Sequence, residues 1–499
     1  MRKFLLLVSR QINFTTYYLP HRHNRTHRIH IEIQSYVLVY VNYVTMWFHL
    51  YFRTKMLQNL FVLTLVIPFI LLIGCNNLED ASPSERDTFI KFFNSPHEFT
   101  AASMEVIPGG YIILGNMKVN DTLTVAALIQ TDENGNQMGD YQYFEGQDAL
   151  IGKDLKPIIN GGTLNGYVIV GDSIKIDPFE EQAANIEIAS LKVLRLDQNF
   201  VVVNRYVRTD KRPITVGHPV KIDYYGRALT LKDDGTIFVL GGVKEGVVAQ
   251  QVAPELTQLI EFDSSLDSLW YIEFDIEDKT FQNSKTLIYN SGKIFWASGL
   301  AIEQGGFTNS YVAIPVAEER STFVNFSQIG QTTDQLFVPG DISPASNLAF
   351  GFGVAGTYSR ETNGSKGNLF FLRVNSAGDI IAGSERYFDG EDGITPLTDQ
   401  TQSSVLDGGE CITSTIDGGF IIAGTTTITS GNGKDLWLLK INAVGDAVWS
   451  KTFGGSGDEV PSTIRGLPTG ELLICGTNTV GGFSSIFLIK TDKNGELND

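Results

Sequence analysis

The sequence Phe420-Ile421-Ile422-Ala423-Gly424 decides the fold, because this short apolar run ending in glycine recurs along the chain. The seven copies end at what we call the marker glycines: Gly115, Gly171, Gly241, Gly299, Gly356, Gly424 and Gly476. Neighbouring marker glycines are 52 to 70 residues apart, which leaves room for several strands in each unit. Repeated units of this kind are typical of β-propeller blades. The sequence therefore predicts an all-β, seven-bladed β-propeller, with six or eight blades as alternatives because the units near Glu181 and Ala345 are irregular.

The unit around Phe420 shows how one blade is built. Four runs of β-branched, aromatic and other apolar residues follow one another, at residues 411–415, 420–425, 436–441 and 448–453. Asp, Asn and Gly residues separate the runs, as in Asp417-Gly418-Gly419, and these are hairpin signals. The pattern predicts a four-stranded antiparallel blade.

The turn between the third and fourth strands repeats its own chemistry. Asp132, Asn442 and Asp492 are each followed three residues later by glycine, where a positive φ is needed. A calcium loop is the alternative at residues 132–136, but an EF-hand loop needs a longer ligand series and a terminal Glu. A hairpin turn is favoured, and the sequence predicts no metal site and no cofactor.

The last unit ends soon after its third strand and turn, so its fourth strand is missing at the C-terminal end. Residues 88–93, Thr-Phe-Ile-Lys-Phe-Phe, match the fourth strand at residues 448–453 in character, and a short turn-like stretch comes after both. We expect this N-terminal strand to complete the last blade and close the ring, which leaves no open sheet edge.

An apolar segment at residues 57–73 follows Arg53 and Lys55 and ends in Leu72-Ile73-Gly74-Cys75. This order is typical of a secretory signal. The last four residues resemble the bacterial lipobox, which implies lipid attachment at Cys75. A plain membrane-spanning anchor is the alternative. The predicted division is an upstream extension at 1–45, a signal peptide at 46–74, a lipidated tether at 75–87 and the propeller at 88–499.

Removal of residues 1–74 takes away eight Lys/Arg and one Glu, and the remaining chain has 30 basic and 55 acidic residues. Its formal charge of −25 repels phosphate backbones, so nucleic-acid binding is not expected. Cations, basic partners and neutral glycans remain open. Besides Cys75 the chain has Cys411 and Cys475, which are either free in apolar strands or joined as a disulfide.

The unit Asp417-Gly418-Gly419-Phe420 to Gly424, with its later strands ending in Gly454-Gly455, resembles repeats of lipid-anchored propeller proteins common in Bacteroidota. It is also loosely similar to kelch repeats, in which the second strand ends in paired glycines, although only Gly241-Gly242 shows such a pair at that position. The resemblance implies an outer-membrane lipoprotein of the cell envelope, on either membrane face. It implies little about activity, because propellers host many functions.

No nucleophile elbow, zinc-protease helix, phosphate loop or paired Cys-x-x-Cys occurs in the sequence. We therefore expect a non-catalytic module that binds a protein or glycan at the envelope, attached to the membrane by its lipid. The alternative is a carbohydrate-active enzyme with carboxylates at the channel mouth, or a scaffold subunit of an envelope complex. The candidate ligand-binding residues, between a fourth strand and the next blade, are Asp392, Asp458 and Glu459. The insertions at 177–184 and 391–408 are candidate ligand surfaces.

Overall fold

The computed structural model describes residues 88–497, except 121–122, 180–183, 210–219, 248–251, 275–278, 283–284, 305–306, 322–323, 330–334, 348–350, 361–366, 391–406 and 428–432. The chain divides into residues 1–85 and 86–499, and the described residues all belong to the second part. In the part of the chain that is described, no helix has the length and apolar character that a membrane span requires.

Within these described residues, thirty strands, numbered β1 to β30, form seven antiparallel sheets, which confirms the predicted seven blades. Blade 1 contains β2 (Phe99–Ile107), β3 (Gly110–Lys118), β4 (Thr124–Thr131) and β5 (Gln142–Tyr143), and a short 3-10 helix (Gly146–Asp148) follows it. Blade 2 contains β6 (Ile151–Asn160), β7 (Thr163–Phe179), β8 (Ala184–Leu196) and β9 (Val202–Arg208). Blade 3 contains β10 (Val220–Leu231), β11 (Ile237–Val247), β12 (Val252–Phe262) and β13 (Ser268–Phe274).

Blade 4 has six shorter strands, because its first and second strands are each divided in two. They are β14 (Lys279–Gln282), β15 (Leu287–Asn290), β16 (Lys293–Trp296), β17 (Ser298–Gln304), β18 (Phe307–Glu318) and β19 (Val324–Ile329). Blade 5 contains β20 (Gln335–Pro344), β21 (Phe352–Arg360), β22 (Gly367–Val374) and β23 (Arg386–Phe388). Blade 6 contains β24 (Gly408–Ser414), β25 (Phe420–Thr426), β26 (Asp435–Ile441) and β27 (Ala447–Phe453), close to the four predicted runs.

Blade 7 combines the two ends of the described chain. It contains β28 (Asp458–Gly466), β29 (Leu472–Val480), β30 (Phe483–Thr491) and, on its outer side, β1 (Phe89–Phe93). The pairing of β1 with β30 runs from Phe89 opposite Lys490 to Phe93 opposite Ile486. The predicted closing strand is therefore confirmed.

The first strand of each blade, here called the inner strand, contacts the inner strands of the blades before and after it. The apolar core lies between successive blades. Phe371 of blade 5 packs in one buried cluster with Trp437 of blade 6, and Leu438 of blade 6 packs in another with Ile474 of blade 7. Burial of such side chains is worth about 1.5–3 kcal/mol each, so every blade depends on its neighbours.

Each inner strand leaves regular pairing at the level of the marker glycine. In six blades a β-bulge inserts one residue there, and in blade 4 the strand leaves the sheet between β14 and β15. In blades 2, 3, 5, 6 and 7 the bulged strand brings a backbone carbonyl close to the glycine. A Cβ on Gly424 would lie 1.9 Å from the oxygen of Gly408, and one on Gly476 would lie 2.3 Å from that of Val460. The glycine recurs because a larger residue does not fit against the bulge.

The turns that follow the third strands are nearly uniform. Six of the seven begin with an Asp or Asn whose Oδ1 accepts hydrogen bonds from the backbone N–H groups two and four residues later: Asp132, Asp197, Asp263, Asn375, Asn442 and Asp492. The Asp132 carboxylate therefore stabilises the hairpin turn by accepting backbone hydrogen bonds. Within the described ranges, no group of three or more His, Cys, Asp or Glu side chains is placed to hold a metal ion.

Cys411 lies in β24 and Cys475 in β29, and both are buried and unpaired. Burial raises the pKa of the Cys475 thiol to about 12, so this group stays protonated at neutral pH. Both residues act as small apolar side chains of the core.

Candidate functional site

A cavity of about 510 Å³ lies where the inner strands meet, and residues from all seven blades line it. We call it the axial cavity. Each blade sends into it the residue displaced at its bulge, or in blade 4 a residue from the gap between β14 and β15. These seven residues, here called the bulge ring, are Ala102, Lys153, Arg227, Lys285, Gly340, Glu410 and Ser462. A bulge turns a side chain out of the alternation of its strand and re-aims it, and here it does so at the level of the marker glycine in six blades.

The bulge ring is strongly asymmetric. Three consecutive blades, 2 to 4, contribute the cations Lys153, Arg227 and Lys285. Blades 5, 7 and 1 contribute Gly, Ser and Ala, which leave space, and blade 6 contributes Glu410. The cavity therefore has one cationic side that faces a side of small residues.

Each cation of the ring touches a carboxylate and keeps other donors. The Lys153 ammonium lies 3.4 Å from Asp172, and that of Lys285 lies 3.0 Å from Glu410. Lys285 and Glu410 belong to blades 4 and 6, with Gly340 of blade 5 between them in the ring. Arg227 donates from Nη2 to both oxygens of Glu255, at 2.8 and 2.9 Å. The pairs hold the cations in place.

A second charge group joins blades 7, 1 and 2 beside the cavity. Arg465, which lines the cavity, donates to Glu105 Oε1 at 2.7 Å and Oε2 at 3.2 Å. Lys156 donates to the same carboxylate at 2.5 Å and lies 3.3 Å from Asp154. Burial alone would raise the pKa of Glu105, but the charges of Arg465 and Lys156 outweigh it and lower the pKa to about 2. This carboxylate is ionised at neutral pH.

Two aspartates that follow the bulges connect neighbouring inner strands. Asp154 accepts from the Ser103 hydroxyl of blade 1 at 2.9 Å and from the Leu229 N–H of blade 3 at 3.0 Å. Asp341 does the same between blades 4 and 6, since it accepts from the Thr286 hydroxyl at 2.5 Å and the Ile412 N–H at 3.1 Å. Burial raises the pKa of Asp341. Both side chains are hydrogen-bonded parts of the ring.

Two of the candidates predicted from sequence lie away from the axial cavity. Asp458 and Glu459 are the first residues of β28 rather than part of the preceding connection, and neither lines the axial cavity. Asp458 accepts the backbone N–H of Lys434 at 2.8 Å, and burial raises the pKa of Glu459. Asp392 and Cys75 lie outside the described residues. Of the two predicted ligand loops, residues 180–183 and 391–406 are also outside them.

Sequence reasoning missed the bulge ring. Lys153, Arg227 and Lys285 occur in unremarkable stretches, and a bulge has no signature of its own. One signal was present, since four ring members stand 14 residues before their marker glycine: Arg227, Lys285, Glu410 and Ser462. In blades 1, 2 and 5 the spacing is 13, 18 and 16 residues, because the first hairpin differs in length.

No protein-family model and no curated protein sequence matches the chain. Several solved structures are similar to it in strand arrangement. One is the β-propeller domain of the Trilobed protease from Pyrococcus furiosus, which has an open velcro topology; its identity is 10%, 83% of this chain and 98% of that chain are covered, and the TM-score is 0.39.

Two further similar structures come from proteins of different kinds. The α-L-arabinofuranosidase Arb93A from Fusarium graminearum is 9% identical, covers 81% of this chain and 97% of its own, and has a TM-score of 0.40. Extracellular domains 1–2 of Drosophila Semaphorin 1a are 9% identical, cover 81% and 88%, and have a TM-score of 0.42. These similarities concern the propeller alone and carry no inference about activity.

Proposed function

We propose that the protein is a non-catalytic binding module of the cell envelope, attached to the membrane by a lipid on Cys75, and that its ligand enters the axial cavity. The ligand is a glycan or a protein segment presented at the envelope. The observation that carries the proposal is the bulge ring: seven structurally equivalent positions hold different side chains around one cavity. Positions that vary on a constant frame are where a propeller builds specificity.

At the axial cavity, the contacts of Glu105, Asp154 and Asp341 favour binding over catalysis. A glycosidase needs a pair of carboxyl groups, one of which is protonated near neutral pH to act as the acid. Glu105 has a pKa of about 2 and is held by two cations, so it has no proton to give. Asp154 and Asp341 are occupied by hydrogen bonds that join the blades. These acids stabilise the ring, while the cations face the ligand space.

Turnover is the property that separates the proposal from its alternative. The full chain is incubated with a panel of envelope and plant oligosaccharides, and the sugars are measured by chromatography before and after binding. We expect bound sugars to be recovered unchanged. Cleavage that disappears on heat inactivation would establish the carbohydrate-active enzyme instead.

The membrane attachment is tested by Cys75→Ala in cells supplied with a fatty-acid analogue. We expect the variant to lose the label and to accumulate as unprocessed precursor, because the lipid is attached to this thiol. Labelling that persists in the variant would refute the anchor. Protease treatment of intact cells then gives the membrane face: a propeller lost to protease is on the cell surface, and one that survives faces the periplasm.

A further inference from the structure

The axial cavity collects cations within a chain that is acidic overall. The charged side chains that line it are four cations, Lys153, Arg227, Lys285 and Arg465, and three carboxylates, Asp154, Asp341 and Glu410. The chain after residue 74 has a formal charge of −25. Each of the four cations also contacts a carboxylate, namely Asp172, Glu255, Glu410 or Glu105, so their charges are compensated locally. An anionic group of limited size would therefore be held by their remaining N–H donors, through charge-assisted hydrogen bonds.

The cavity offers unused donors beside unused acceptors. An ammonium has three N–H donors and a guanidinium has five, whereas Lys285 touches one carboxylate and Arg227 uses Nε and Nη2 on Glu255 alone. Arg227 Nη1 has no partner among the described residues. At the same level, Glu410 has a second oxygen beside the one that accepts from Lys285, and the Ser462 hydroxyl, which donates to the carbonyl of Cys475, can accept a further bond. A matching ligand has an anionic group for the cations and several hydroxyl groups for the acceptors.

The other lining residues and the volume of the cavity restrict the class of ligand further. Among the described residues that line the cavity, none is aromatic, so no flat apolar surface is offered for stacking on a neutral sugar ring. Recognition must come from hydrogen bonds and charge. A volume of about 510 Å³ lies within the usual range of about 300–1,000 Å³ for small-ligand sites, and it suits one or two sugar units rather than a folded partner.

We propose that the axial cavity binds an acidic saccharide, in which the carboxylate of a uronic acid lies against Lys153, Arg227 and Lys285 and the ring hydroxyls face Glu410 and Ser462. The arginine fork and the two ammonium groups provide charge-assisted hydrogen bonds to the carboxylate. A neutral sugar leaves the cations without an anion, and a peptide of glutamates lacks the hydroxyl groups. This inference rests on the proposed binding function and names its ligand class.

The test is calorimetric titration of the full chain with four uronate disaccharides, built from glucuronate, galacturonate, mannuronate and guluronate, and with the methyl ester of each. The ester keeps the rings and removes the charge. We expect at least one acid to bind, at least about tenfold more tightly than its ester, as expected for loss of a charge-assisted hydrogen bond. This affinity should fall as salt is added.

Lys285→Gln removes one cation of the ring, and Lys451→Gln is its matched control. Lys285 is 49% exposed, so its replacement leaves the core intact. Lys451 lies on the outer strand β27 and pairs with Glu496, far from the ring in the blade. We expect Lys285→Gln to weaken uronate binding about fivefold to tenfold with an unchanged melting temperature. Lys451→Gln should bind like the wild type.

Several results would overturn the inference. They are equal binding of acid and ester, no binding of any uronate, tighter binding of a glutamate heptapeptide, and full displacement by millimolar sodium sulfate, which indicates a general anion site. The proposed function fails in a different way. If a disaccharide is cleaved, the module is an enzyme, while the preference of acid over ester is still read from the same titration.

Discussion

The inner strands around the axial cavity and the turns after the third strands both repeat from blade to blade. They differ in how strongly their geometry restricts the residue type at equivalent positions. At the turns, six blades place Asp or Asn at the same position, with the same pair of hydrogen bonds to the backbone. At the axis, the marker glycine is constant, but the bulged residue beside it is Ala, Lys, Arg, Lys, Gly, Glu or Ser.

The chain thus contains its own comparison of equivalent positions. Where seven units in the same geometry keep one residue type, the backbone requires it: the glycine fits against a bulge and the Asp or Asn closes a turn. Where the units share a geometry and differ in side chain, the fold imposes no choice. The bulge ring belongs to the second kind, and this is why we assign ligand recognition to it rather than to the turns.

The largest expected loss of stability comes from replacing a marker glycine. In Gly424→Ala the new Cβ would lie 1.9 Å from the oxygen of Gly408, so blade 6 must shift its inner strand. We expect a loss of more than about 4 kcal/mol in the free energy of unfolding, measured by denaturant titration. Gly455→Ala is the control, because nothing lies within 4 Å of its Cβ position. Equal stability of the two variants would show that the bulge does not require the glycine.

A smaller effect is expected from the charge group that joins blades 7, 1 and 2. Glu105→Gln leaves Arg465 and Lys156 with less compensating charge in a buried place, which should cost about 3 kcal/mol of stability. The control is Glu496→Gln, whose partner Lys451 lies on an outer strand and whose loss should cost about 1 kcal/mol or less. Both values are measured by denaturant titration at pH 7.

The pH dependence of Glu105→Gln gives a further check on the same pair. The pKa of Glu105 is about 2 in the folded protein and near 4.5 when the group is unperturbed. Because the folded pKa is the lower one, the stabilising contribution is complete above about pH 4.5 and is lost as the pH falls towards 2. The stability difference between wild type and variant should shrink over that window. A difference that stays constant would mean that the ionised carboxylate is not what holds the group together.

The smallest effect is expected at the turns. Asp263→Ala removes the acceptor of two backbone N–H groups, from Ser265 and Asp267, at the surface of blade 3. We expect a loss of about 1 kcal/mol, seen as a small shift of the thermal unfolding midpoint. Asp263→Asn should be almost neutral, since Asn375 and Asn442 make the same contacts in blades 5 and 6. A large drop of the unfolding midpoint in Asp263→Asn would show that the turns are not equivalent.

The sequence predicted the blades but not the bulge ring, for related physical reasons. Marker glycines, turn residues and the closing strand are set by local backbone geometry, so a short window contains their signal. The bulge ring depends on the pairing of two strands and on seven blades meeting at an axis. Glu105 and Arg465 are 360 residues apart in the chain and 2.7 Å apart in space. No local sequence pattern predicts such a pair. Alignment of the repeats on their marker glycines, by contrast, places four of the seven bulge-ring residues at the same position.

The pairing of β1 with β30 also determines how long β1 stays without its partner strand during synthesis. Phe89 is opposite Lys490, so the first strand of the propeller to be synthesised has no partner until almost the whole chain exists. At a synthesis rate of about 5–20 residues per second, the wait is roughly 20–80 s. During it, β1 carries Phe89, Phe92 and Phe93 with no sheet to join. Whatever keeps this strand from pairing elsewhere in that interval decides how much of the protein becomes a closed ring.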